Sequence, residues 1–227
     1  MMEKHKLGNP LRDVILGGQD GLVNALGIIL GIAAVSSDVR ILIATVLAAT
    51  FAESLSMGAV AYTSSLAQKD HYDSELQREI REMEELPDVE REEIRQIYAA
   101  KGFHGELLEE IVTTITSDKK QWLDIMMAEE LNLHPVEMGD VLKSSVIVTI
   151  ATLIGHLIPL LPFFFVVHRT GIILSLIMSA AALFAVGTYQ AVTLVGSWWK
   201  GGIRLALIGM VAAFAGYLIA RAVQLVS

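Results

Sequence analysis

Five long apolar stretches, separated by short polar joints and one charged insertion, dominate the chain. A helix needs roughly 20 mostly apolar residues to cross a bilayer's hydrocarbon core, and residues 14–35, 41–66, 145–167, 171–195 and 203–226 meet or approach that length. The pattern predicts five membrane spans. The first is too long for a cleaved signal, carries Asp20 and lacks a small-residue cleavage site, so it reads as a retained span. Pro159 and Pro162 predict a kink near the end of the third. In the first span Gly17 and Gly21, and again Gly27 and Gly31, stand four apart, a spacing that lets helix backbones approach closely in lipid. It favours a self-associating or tightly bundled first helix.

Between spans two and three the pattern turns to charged, helix-favouring sequence. Residues 70–86 read as one helix and 87–100 as a second, with Pro87 in its first turn and Gly102 beyond its end. Leu107, Leu108, Ile111 and Ile115 mark a third amphipathic helix over 105–116. A fourth runs from Ser117 or Asp118, a cap, to Pro135, and its Trp122, Ile125, Met126 and Leu133 face either the membrane surface or the other helices. The fold class is therefore an all-α membrane protein with five transmembrane helices and a cytosolic helical insert between helices 2 and 3. Its divisions are 1–69, with the first two spans, 70–142, the acidic insert, and 143–227, with the last three.

Composition sharpens this picture once it is split. Residues 70–140 hold 20 acids against 7 bases, a formal −13, and the rest holds 5 acids against 10 bases, a formal +5. An acidic block between apolar stretches excludes a nucleic-acid binder, whose footprint is basic, and points to cations and a bilayer. The chain has no cysteine, which excludes disulfides and thiolate metal sites. Lys4, Lys6 and Arg12 before span one, Lys69 and Lys143 beside the insert, and Lys200 and Arg204 before span five outnumber Arg40, Arg169 and Arg221 at the opposite ends. The positive-inside bias then places the N-terminus and the insert in the cytosol.

An ionisable side chain in hydrocarbon is costly enough to be a functional candidate. Asp20, with Gln19 and Asn24 beside it, and Glu53, with Met57 one turn on, qualify as residues of a translocation path. Carboxylate oxygens with a thioether suit a divalent transition metal better than magnesium or calcium. Asp20 as a polar helix-start residue near the headgroups and Met57 as packing filler are the blander alternatives. In the insert Glu79 and Glu82 share one helix face and Glu90 and Glu93 the next. A chain folding back at Pro87 would bring the pairs together around a cation, with Met126 and Glu130 adding a sulfur and an oxygen, although each glutamate alone also reads as a solvated surface residue. Such a site suits Fe2+ or Mn2+, and would also take Zn2+ or Co2+. His156 in span three either lines a polar path or donates to a neighbouring helix. The chain has no Glu-x-x-His, no phosphate-binding Gly-rich loop with Lys and Ser or Thr, and no nucleophile with a paired base, so a dimetal enzyme, nucleotide-driven pumping and covalent catalysis lack support.

The runs RDVILGGQDGLVNALGIILGIA, ESLSMGAVAY with HYDSELQREI, and WLDIMMAEELNL resemble, in this order and over almost the whole chain, the vacuolar iron transporter (VIT) family of plants, fungi and prokaryotes. The resemblance implies a homodimer that exports ferrous iron from the cytosol in exchange for protons, along a path between the protomers. It also implies metal capture by Glu79, Glu82, Glu90, Glu93, Met126 and Glu130, and passage past Asp20 and Met57; Glu53 joins the path on its position alone. No permanent cofactor, nucleotide or nucleic acid is expected, and the membrane is either a prokaryotic plasma membrane or a vacuolar-type one. The rival reading is a membrane-anchored metal sensor or buffer that binds metal on the insert without transport.

Overall fold

The computed structural model describes residues 10–193 and 196–226, so Lys4 and Lys6 of the charge argument and Val195 of the fourth span lie outside it. The described residues form helices without a strand. These are α1 (Pro10–Val35), α2 (Val39–Glu85), α3 (Pro87–Ala100), α4 (Gly105–Thr116), α5 (Lys119–Ile125), α6 (Met138–Leu160), α7 (His168–Thr193) and α8 (Trp198–Val226). Five of them, α1, α2, α6 with the short 3-10 helix Leu161–Phe164 behind it, α7 and α8, are long and apolar enough to cross a membrane.

Two of these helices differ from the hydropathy reading in instructive ways. Span two and the first insert helix are one uninterrupted helix of 47 residues, because nothing between Leu66 and Asp70 breaks a helix and the Lys69–Asp73 ion pair, four apart, fastens the join. Span three starts at Met138 rather than Ser145, since Asp140 and Lys143 hide a helical turn under polar sequence. It runs through Pro159, and the conformation tightens to 3-10 at Leu161, with Pro162 at the start of that turn. The end of α2's approach is capped at Asp38, whose carboxylate accepts from the amides of Arg40 at 2.8 Å and Ile41 at 3.4 Å.

The described residues divide into two compact units: 10–62 with 142–226, and 63–141. In the first, the glycines of α1 are used twice. A Cβ on Gly17 would lie 2.6 Å from the Val148 carbonyl oxygen of α6, and one on Gly21 would meet the Thr152 carbonyl and, at 2.8 Å, His156 Nδ1. Gly155 answers from α6, where a Cβ would sit 2.5 Å from the Gly18 carbonyl oxygen. The second pair turns to α8: a Cβ on Gly216 would lie 3.2 Å from the Gly27 carbonyl oxygen, and one on Gly31 would find ordinary contact with Ala220 Cβ at 3.9 Å. The small-residue spacing thus bundles α1 against two helices of its own chain. Gly18, whose Cβ would find only ordinary contact at 3.9 Å, provides the contrast. Gly21→Ala should lower stability in detergent by on the order of 1–3 kcal/mol, whereas Gly18→Ala should leave the melting curve in place; equal curves for both would show that the α1–α6 contact is loose.

In the second unit, Ile94, Leu108, Val112, Ile115, Trp122 and Met126 form one buried core. Trp122 and Met126 therefore pack on neighbouring helices rather than on a membrane surface. Gly102, at φ 95°, ends α3 in a conformation that favours glycine. Arg95 then clasps both carboxylate oxygens of Glu109 on α4, at 2.8 and 2.9 Å. Asp118 caps α5 by accepting from the amides of Lys120 and Gln121.

Candidate functional site

The candidate carboxylates fall into one group in each unit. In the membrane unit it begins with Asp20, ten residues into α1 and so about 15 Å along its axis. That is midway along the helix and away from its ends. Asp20 and Asn24, one turn apart, face Glu53 of α2. Asp20 and Glu53 line the same cavity, and Asn24 Nδ2 donates to Glu53 Oε2. The same Oε2 lies 3.2 Å from Nε2 of His156 on α6, a fully buried ring whose Nδ1 is 3.0 Å from the Thr152 carbonyl oxygen. With Nδ1–H donating to that carbonyl, Nε2 is left facing the carboxyl. His156 thus meets a neighbouring helix at the candidate path itself.

Asp20, Asn24, Glu53, Gly27, Ala212 and Gly216 line a cavity of about 530 Å³. Met57 is half-buried one turn along α2 from Glu53 and is not part of that lining. The structure therefore brings Asp20 and Glu53 together and leaves Met57 beside them rather than among them.

In the acidic unit Glu79 and Glu82 come from the last turns of α2, Glu90 and Glu93 from α3, and Met126 and Glu130 from a π-helical turn, Met126–Glu130, that continues α5. The uniform helix read up to Pro135 ends here instead: the Leu131 amide reaches back five residues to the Met126 carbonyl at 3.2 Å, and Asn132 takes φ 51°. Such π turns recur at functional sites because they re-aim side chains. Pro87, opening α3 behind Leu86, turns the chain so that Glu90 meets Glu79.

Glu79 is 2% exposed and Glu90 4%. Their side chains interact with each other, and Oε1 of Glu79 and Oε2 of Glu90 have no hydrogen-bond partner. Burial pushes the Glu90 carboxyl up to about 8, helped by its hydrogen bond with Glu79 and by the charges of Glu79, Glu93 and Glu82. Burial also raises Glu79, and Glu130, Glu82 and Glu93 add to it, while the contact with Glu90 works the other way. Glu130 is exposed at the rim, yet partial loss of water and the charges of Glu93 and Glu90 lift its carboxyl to about 7 against the pull of Arg78. At neutral pH the cluster must hold at least one proton or accept a cation.

Arg78 was the residue without a sequence signal: its side chain reaches Glu75 at 3.0 Å and Glu82 at 3.5 Å, so Glu82 is the acid already partnered. Met126 is fully buried. Among the described residues no three His, Asp or Glu side chains stand close enough to hold a metal ion as they are placed.

An all-helical chain with five helices fit to cross a membrane, and with ionisable groups packed between three of them, is a multi-pass membrane protein. It belongs to the VIT family, whose profile matches residues 11–221; members of this family are transporters, not enzymes. The chain is 30% identical to vacuolar iron transporter 1 of Eucalyptus grandis, over 99% of this chain and 92% of the relative. It is 32% identical to vacuolar iron transporter 1 of Tulipa gesneriana (98% and 91%) and 27% identical to the vacuolar iron transporter of Plasmodium falciparum (96% and 84%).

Proposed function

We propose that the chain exports ferrous iron, and also manganese, from the cytosol in exchange for protons. The observation that carries this reading is the Asp20–Glu53 pair, two acids on membrane-spanning helices that line one cavity. A tether has no reason to bear that desolvation cost, which weighs against a sensor or buffer. Relatives named as iron transporters supply the cargo.

In this mechanism Glu79, Glu82, Glu90, Glu93, Met126 and Glu130 capture the ion at the cytosolic mouth. Unpartnered buried oxygens on Glu79 and Glu90 fit a cation, and the Met126 sulfur favours a transition metal over calcium. The ion then passes Met57 to Asp20 and Glu53. Side-by-side carboxylates in low dielectric repel unless a proton or a cation lies between them, so protons entering from the far side displace the metal and couple the fluxes. The Asp20–Glu53 cavity opens at the surface of the single chain, where lipid would meet charge; a second copy covering it gives a homodimer with the path between protomers.

Proteoliposomes loaded with an iron-sensitive dye test this. Ferrous uptake into vesicles with an acidic lumen should run several-fold faster than at equal pH on both sides. Equal rates would refute proton exchange, and metal binding with no flux under either condition would make the chain a sensor or buffer.

A further inference from the structure

Between the last turns of α7 and the start of α8 lies a cavity of about 310 Å³ whose lining includes Lys200 and Arg204 together with Gln190 and Ser197, with no acid among the described residues that line it. It is separate from both carboxylate sites. Its floor is closed by backbone: a Cβ on Gly187 would lie 2.5 Å from the Gly201 carbonyl oxygen, and one on Gly201 would lie 2.6 Å from the Gly187 carbonyl oxygen. The helices touch there, so the two cations stand at the mouth above the contact.

Lys200 and Arg204 are one turn apart on α8, both exposed, and neither has an acidic partner among the described residues. Like charges at that spacing repel unless an anion lies between them. A guanidinium grips two phosphate oxygens at once and an ammonium adds a point charge, while Ser197 and Gln190 offer further donors. The ammonium of Lys200 sits 5.7 Å over the Trp199 ring. Trp198 and Trp199 are 56% and 47% exposed at the start of a membrane-spanning helix, the position in which indoles mark headgroup level.

The same face of α8 continues from Lys200 and Arg204 to Ile208 and Val211, which are exposed. A basic mouth at headgroup depth, with an apolar strip running from it into the hydrocarbon, matches a phosphate that carries acyl chains better than one free in water. We propose that the start of α8 binds the phosphate of an anionic membrane lipid between the Lys200 ammonium and the Arg204 guanidinium, with its acyl chains along Ile208 and Val211.

Native mass spectrometry of the detergent-solubilised full chain, mixed with phosphatidylglycerol or with phosphatidylcholine, reads this out. The wild type should prefer phosphatidylglycerol by about tenfold. The double substitution Lys200→Gln, Arg204→Gln should lose that preference, and Lys200→Arg with Arg204→Lys should keep it. An unchanged preference in the Gln variant overturns the proposal. So does displacement of bound phosphatidylglycerol by millimolar inorganic phosphate, which would make this a site for soluble phosphate. Should the Gln variant fail to fold, a photoreactive phosphatidylglycerol on the wild type decides: crosslinks within 196–211 support the site, and crosslinks confined elsewhere overturn it.

Discussion

Changing Glu79 and Glu90 together to glutamine should abolish tight ferrous-iron binding by the full chain, by at least about a hundredfold, while making the metal-free protein more stable. The two carboxyls are buried against each other and each keeps an oxygen without a hydrogen-bond partner. Glutamine keeps the shape, removes the repulsion and lets one amide donate to its neighbour, a gain on the order of 1–3 kcal/mol. The pH dependence carries the sign. The Glu90 carboxyl lies at about 8 and Glu130 at about 7, above the ordinary 4.5. A carboxyl raised on folding contributes stability that is complete below about 4.5 and drains away as pH climbs through 7 and 8. The wild type without metal should therefore be less stable at pH 8.5 than at pH 6, and ferrous affinity should rise over the same interval as the ion displaces protons. The glutamine pair should flatten both trends. Calorimetric titration and thermal unfolding at several pH values measure them, and a destabilised variant with undiminished metal affinity would make these glutamates merely structural.

The second large effect concerns the membrane unit. Asp20→Asn is expected to reduce ferrous flux in proteoliposomes by two orders of magnitude or more, an effect of about 3 kcal/mol, with metal binding to the acidic unit unchanged. Asparagine preserves the volume between α1 and α2, so folding should survive. It removes the charge that would replace the ion's water midway along the helix. Glu53→Gln leaves Asn24 and His156 facing an amide instead of a carboxyl and should act in the same direction. Flux at wild-type rate in Asp20→Asn would remove Asp20 from the path, and loss of binding together with flux would point to a general folding defect.

The five spans were legible because uninterrupted apolar length needs no tertiary knowledge, and the glycine pairs of α1 were legible because small residues one turn apart mark a contact face. The partners of those pairs were not. Nothing local tells Gly21 that it meets α6 and Gly31 that it meets α8. Reading a break between Leu66 and Asp70 followed from a change in polarity, yet polarity does not stop a helix that has neither proline nor glycine at the change. The glutamates and Met126 could be named from spacing, but the π turn that presents Met126 and Glu130 has no signature in composition. Glu53 and His156 are 103 residues apart, and only helix packing reveals that the His156 ring meets the Glu53 carboxyl. Arg78 was hidden because a base among acids looks like ordinary surface until its reach to Glu82 is seen.

The glycine contacts also limit how the molecule can work. Gly17 and Gly21 meet the backbone of α6, Gly155 meets that of α1, and Gly58 is joined to α6 through Ser145 Oγ at 2.8 Å. Rolling any of these three helices about its axis would drive a carbonyl oxygen into its neighbour. Asp20, Glu53 and His156 therefore ride on one stiff tripod, and if the proposed export alternates between inward and outward access, that movement falls to whatever walls the tripod in, not to the tripod itself.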